Sequence, residues 1–400
     1  MTAADHLLSV FQQKQSQYLI SATISPQATV ESLRASSTVL FTAVMLVAAL
    51  LVPGKEALHE TCHGNFMGLV SSVMFDRVHT LDDIRGLCIA ALWEPCLSWK
   101  LSGLCIRMAT ELNLHHAFHS AFHEISMSQE DRKEQLERAR LWYLLYVLDH
   151  RSSIAYGRPP VMSELRPIKE FEMLLTSDLC TNSDRALIAE LTGLVALSRA
   201  FDTFGLEPRR AMTGDEAAVL DHSRFADNIQ TWRDRWNGLR AMDQSNATLH
   251  LLRSVELQYH FSNLVLNSLV LRGRSLQEIN ALPASLRPLA LKAVEAAHMV
   301  LQHFLDNPTY ADEIAGMPLY LHSIIPFSVV FLMKLARRWN AIGITIDAPQ
   351  RTFHLIERVI RLLQNCQVGS DHMIYSMAKG FDRMFRRVKC SDDVGTSSTQ

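Results

Sequence analysis

No C-x-x-C pair occurs among the seven cysteines, Cys62, Cys88, Cys96, Cys105, Cys180, Cys366 and Cys390. Their odd number and irregular spacing argue against a disulfide framework and point to thiols in a reducing compartment, the cytosol or nucleus. A basic excess is also missing: 39 Lys and Arg stand against 41 Asp and Glu, a formal charge of −2, which argues against binding nucleic acid by broad electrostatic attraction. The longest apolar run, Val39 to Val52, is about fourteen residues against the roughly twenty that span a bilayer, so it reads as a core helix stopped by Pro53 and Gly54 and no membrane partner is expected. The first twenty residues lack the positive start and apolar core of a secretory signal. Alternating strand patterns are absent, and so are G-x-S-x-G, P-loop and dinucleotide glycine fingerprints.

What is present is a large apolar content in helical register. Hydrophobic residues make up 48% and charged ones 20%, enough to bury a substantial core. The periodicity predicts an all-α chain, a single large helical domain of packed antiparallel helix pairs, with a lead-in at 1–29, the domain at 30–388 and a disordered tail at 389–400. A helix is expected from about Glu31 to Val52, another from Glu56 to Phe75, and one N-capped by Thr80 with Asp83 three residues on. Later helical segments are broken by Pro208, Gly273, Pro283, Pro308 and Gly343.

The centre of the chain is LWYLLYVLDHRSSIAYGRPPVM, residues 141–162. Leu141, Leu144, Leu145 and Leu148 share one helical face, with Trp142 and Tyr146 one turn apart beside it. Asp149 and Arg151 bring charge onto that apolar helix, Gly157 frees the backbone to end it, and Pro159 and Pro160 after Arg158 forbid its continuation. This helix and its exit are expected to form the central packing element. Upstream, SQEDRKEQLERAR from Ser128 reads as a solvated helix start with Glu134–Arg138 and Glu137–Arg140 pairs.

This segment resembles the middle homology region of the fungal-specific transcription factor domain of zinc binuclear cluster regulators. WKLSGLCIRMATELNLHHAF at 99–118, SRAFDTFG at 198–205, TWRDRW at 231–236 and LQYHFSNLVLNSLVLRG at 257–273 resemble further helices of that family in the expected order. YGRPPVM and DTFG are most similar to regulators of extracellular proteases and amino-acid metabolism. The resemblance implies a nuclear, non-enzymatic regulator of transcription that answers a partner or a small-molecule effector by shifting between two packings. Its partners would be transcription machinery or a DNA-binding protein, in a homo- or heterodimer. The family's six-cysteine module has no counterpart here, so DNA would be reached through a partner or an upstream module. No cofactor is expected on this chain, and zinc only if such an upstream cysteine cluster exists.

Several constellations compete with that reading. His59-Glu60-Thr61-Cys62-His63 is a literal H-E-x-x-H, the spacing with which zinc hydrolases hold a metal between two imidazoles, with Glu94 as the one downstream glutamate available; the alternative is a polar helix face. A zinc hydrolase and an interaction protein that does not bind DNA therefore stand as alternatives. His115, His119 and His123 recur every fourth residue, a spacing that could chelate a transition metal if one helix ran through them, but the helix before them is expected to end near Asn113, which would make them a C-terminal histidine cluster. Asp149 beside His150 invites an acid–base couple, against which pairing of Asp149 with a nearby arginine is preferred. Asp82-Asp83 lacks the next acidic residue of a magnesium-binding motif. Trp232 and Trp236 with Arg233 and Arg235 could stack bases, though core aromatics with solvated arginines are the simpler reading. Met67, Met74 and Met108 would suit a plastic effector pocket.

Overall fold

The computed structural model describes the chain except residues 1, 20–23, 75–78, 125, 206, 208, 242, 308, 309, 311, 312, 336–346 and 397–400. Pro208, Pro308, Gly343 and Phe75, each assigned a role from the sequence, lie outside the described residues. Within them every regular element is helical and there is no strand, so the all-α reading holds. The chain divides into two compact units, the first of residues 1–194, 315–320 and 367–372, the second of 195–314, 321–366 and 373–400.

The first unit begins with α1 (Ala3–Lys14), α2 (Val30–Ser36) and α3 (Thr38–Ala49). One helix was expected where α2 and α3 lie. Ser37, in extended backbone, breaks it: its hydroxyl oxygen accepts from the Leu40 amide to cap α3 and donates to Asp83 at 2.7 Å. Asp83 itself closes the predicted capping box with Thr80 at the start of α5 (Leu81–Trp93), so the Asp82-Asp83 pair serves a helix start. α3 packs on α5 and on α4 (Glu56–Val73). The closeness of α3 to α5 rests on Gly86, where a Cβ would come within 2.7 Å of the Leu40 Cα.

α6 (Ser98–Glu111) packs on α5 and on the longest helix, α8 (Gln129–Tyr156), which is also covered by α7 (Leu114–His123). α8 changes character along its length. Its first turns are polar, whereas Leu141 to Ser153 is buried without interruption, so neighbours surround the helix there rather than lining one face. Two single-turn helices, α9 (Arg166–Lys169) and α10 (Glu172–Leu175), follow before α11 (Asn182–Phe204).

In the second unit α12 (Glu216–Asn237) packs on α13 (Asn246–Ser268), α13 on α15 (Arg287–Asp306), α15 on α17 (Asp347–Gln364), and α17 on α18 (Met373–Thr396), with α14 (Leu276–Asn280) and α16 (Leu319–Leu335) between them in sequence. α18 runs past residue 388, where the sequence reading closed the domain, to Thr396. Trp232 and Trp236 are buried, while Arg233 pairs with Glu256 and lies 4.4 Å over the Tyr259 ring. Those tryptophans are core aromatics, as the simpler reading had it.

Candidate functional site

α8 ends as its sequence dictates. Gly157 takes the left-handed conformation, φ +62°, and the Arg158 amide donates back to the Ser153 carbonyl at 3.0 Å, the long closing bond of a Schellman-type end. A Cβ at Gly157 would meet open space, so the glycine is needed for its dihedral alone. Pro159 and Pro160 then keep the chain from resuming the helix.

The loop is caught by Asp149. Its Oδ2 accepts from the amides of both Val161 and Met162, each at 2.8 Å, from a side chain that is almost fully buried. Here the structure corrects the expectation of an arginine partner, because the carboxylate is spent on main-chain amides. Burial pushes the Asp149 carboxyl above its usual range, and the two amides pull it back. His150 is no acid–base partner for it. The ring stacks on Tyr146 with centroids 3.8 Å apart, Nδ1 faces the Tyr146 carbonyl, and burial holds the imidazole down to about 4. Neutral His150 is therefore a packing group.

Arg151 is tied differently. Its guanidinium meets Glu190 at 2.6 Å and lies 4.4 Å over the Tyr320 ring. Trp142 sits against His115, ring centroids 5.8 Å apart, and Tyr143 donates its hydroxyl to the Pro167 carbonyl. Trp142, Tyr146, Asp149 and Arg151 thus share one helix, and Trp142, Asp149 and Arg151 tie it to different neighbours within the first unit. Arg158 and Tyr156 lie on its outer side: the guanidinium is 4.8 Å over Trp99, and Trp99 meets Tyr156 edge on at 6.3 Å.

A second buried tie was hidden in the charge run. The Glu137–Arg140 pair forms at 2.8 Å, but Arg140 also grips Asp184 with two parallel bonds, 2.7 and 2.8 Å, and donates to the Leu179 carbonyl. Asp184 is wholly buried, so this end of α8 is not merely a solvated face. Arg138, expected to pair with Glu134, instead donates to the Leu112 carbonyl. The sequence signal was thin, a Thr-x-x-Asp at 181–184 that marks the α11 cap and leaves Asp184 inside. Arg140→Lys keeps the charge but loses the planar fork, and is expected to cost about 1 to 3 kcal/mol in chemical denaturation; an unchanged denaturation midpoint would show that the fork is dispensable.

His59 and His63 do lie one turn apart on α4, ring centroids 6.3 Å apart, and Glu94 does reach His59. Yet His59 is held on both edges: Nε2 faces Glu94 at 3.0 Å and Nδ1 faces Asp371 at 3.4 Å. Glu94 above all, against the cost of burial, raises the imidazole above its ordinary value. Each ring nitrogen of His59 thus faces a carboxylate of its own. The arrangement works as an ionic tie between α4, the end of α5 and the 367–372 segment, whose Gly369 amide also donates to the Leu50 carbonyl.

The histidine run departs from expectation in another way. Asn113, φ +58°, turns the chain and α7 starts at once, so His115, His119 and His123 lie along one helix instead of crowding a C-terminus. His119 and His123 have centroids 4.9 Å apart, and His123 is 3.7 Å from Glu170. His115 turns inward to Trp142, and burial lowers its pKa. Among the described residues no group of three or more His, Cys, Asp or Glu side chains is arranged to hold a metal ion. Met74 and Met108 come together on a cleft with Val39, Val70, His79 and Asp83, whose enclosed part has room for about one water. Met67 does not line it.

The helical fold thus carries, at the end of its longest helix, a loop clamped from inside by a buried carboxylate. The chain belongs to the family of the middle domain of the transcriptional activator of proteases prtT, whose family model matches residues 1–388. It is also 35% identical, over 390 residues, to the transcriptional activator of proteases prtT of Emericella nidulans, a match that covers 96% of this chain and 58% of that protein. The chain thus spans a little over half the length of that curated relative.

Proposed function

We propose that this chain is the helical regulatory domain of a fungal-type transcription regulator, acting in the nucleus by contact rather than catalysis. The observation that carries the reading is the match to a named transcriptional activator along 96% of the chain. The near-neutral charge supports indirect contact with DNA, through a DNA-binding partner or a separate zinc-cluster module. Protease genes are the proposed targets, after the relative's name. The two ties on α8, Asp149 to the loop and Arg140 to Asp184, support a domain that transmits an effector or partner signal by exchanging one packing for another.

The test is chromatin occupancy of a tagged chain starting at Met1, expressed in its own host. Discrete peaks at protease-gene promoters are expected. Asp149→Ala should weaken those peaks severalfold, because the part-buried Val161 amide and the buried Met162 amide both lose their acceptor, the latter at about 1 to 3 kcal/mol. Nuclear protein without enrichment at any promoter would overturn the reading in favour of an interaction protein that does not act at DNA.

A further inference from the structure

Among the described residues, the large apolar side chains left exposed in the first unit are Tyr156, Val161 and Leu165, at 42%, 62% and 44%. Tyr156 is the last residue of α8, and Val161 and Leu165 fall on the loop that leaves it. A scattered exposed valine needs no explanation, but three at one helix exit beside a buried clamp do. The Asp149 carboxylate fixes the Val161 main chain from within while its side chain faces solvent. Stability is thereby spent on holding an apolar surface in place, which cuts the ordering cost of any partner that covers it.

Arg158 sets the partner's chemistry. Its guanidinium lies 4.8 Å over Trp99 and 5.5 Å from the centre of Tyr156, and Tyr156 is held by its hydroxyl bond to the Pro95 carbonyl. Among the described residues Arg158 has no carboxylate partner. A guanidinium stacked on aromatic faces keeps its planar fork open at the edge, and that fork fits a carboxylate. Residues 156–169 carry Arg158, Arg166 and Lys169 against Glu164, with Arg166 already paired to Glu170. The loop is therefore apolar and basic. A second copy would set like charges against each other in an isologous contact, and a nucleic-acid backbone would leave the three apolar side chains uncovered.

We propose that the Tyr156–Leu165 stretch docks an amphipathic acidic segment of a protein partner, its apolar face covering Tyr156, Val161 and Leu165 and one of its carboxylates pairing with Arg158. This deepens the regulatory reading and rests on it only for which protein supplies the segment. The full chain is titrated, by fluorescence anisotropy, with a labelled synthetic amphipathic helix carrying Leu and Phe on one face and Glu and Asp on the other. A second probe keeps the apolar face and carries Lys instead. The acidic probe is expected to bind saturably, more weakly as salt rises, and at least about tenfold more tightly than the basic one. Arg158→Glu should reverse that preference, and Val161→Asp should abolish binding. Both positions are exposed, so the melting curves of these variants should match wild type. Equal binding of the two probes, or binding of neither, overturns the proposal. So does sedimentation of the chain as a dimer that Val161→Asp dissociates, or displacement of the acidic probe by duplex DNA. Chromatin occupancy does not enter this test, so the proposal and the transcription reading fail separately.

Discussion

Acidification from about pH 7 to about pH 5 is expected to lower the unfolding free energy by several kcal/mol, about 2 kcal/mol for each of four imidazoles of the second unit, three buried and one half-buried. His222, His298, His303 and His322 are each held down to about 4, in every case chiefly because burial penalises the charged ring. His322 Nε2 donates to the Ile314 carbonyl at 2.6 Å, a bond that by itself favours the charged ring and is outweighed by burial, and His298 Nε2 meets the Thr352 hydroxyl at 2.7 Å. The sign follows from proton counting. Above the ordinary value of 6.5 neither state is protonated and stability is full. Between 6.5 and about 4 the unfolded chain binds protons that the folded one refuses, so stability falls as the pH falls. His59 works in the opposite sense, its raised pKa adding stability below neutrality that is lost as the pH rises through it. One tie does not offset four rings. Against a typical total of about 5 to 15 kcal/mol, the loss should melt the second unit well below its neutral-pH temperature. Urea midpoints by circular dichroism at the two pH values test this, and equal midpoints would mean that these rings take up protons in the folded state without penalty.

Trp142→Ala should cost about 3 to 5 kcal/mol. The ring is 5% exposed and packs against His115, in the stretch of α8 that neighbours surround. Such a site collapses poorly, because α7 and α6 both bear on α8 and neither can close the gap without lifting from its other contacts. Trp142→Phe, which keeps a ring in place, should recover more than half of the loss. Thermal melts of the two variants beside wild type decide it, and an alanine variant that melts like wild type would remove α8 from the centre of the first unit.

The sequence by itself determined the class and much of the frame. Apolar periodicity with no alternating pattern permits only helices, and the Thr80–Asp83 box and the Gly157 exit are local signals whose partners lie within a few residues. They survive because short-range bonds form alike in any tertiary setting. The burial of Leu141, Trp142 and Tyr146 was equally legible, since an uninterrupted apolar stretch has to be covered. The break at Ser37 and the fresh start of α7 after Asn113 were not, because one residue leaving helical geometry costs little and neighbours decide whether it does.

Tertiary structure alone decided which charged groups meet. Asp149 could have paired with an arginine or with main-chain amides, and the return of the loop twelve residues on chose the amides. Arg140 lies on a run that reads as solvated until α11 brings Asp184 beneath it, forty-four residues away. The H-E-x-x-H spacing fixed that His59 and His63 share a helix, but the carboxylates reaching both edges of His59 come from 94 and 371. Sequence spacing sets what can share a turn. What a buried charge finds there depends on partners brought from elsewhere in the chain, because desolvation makes any unpaired arrangement too costly to persist.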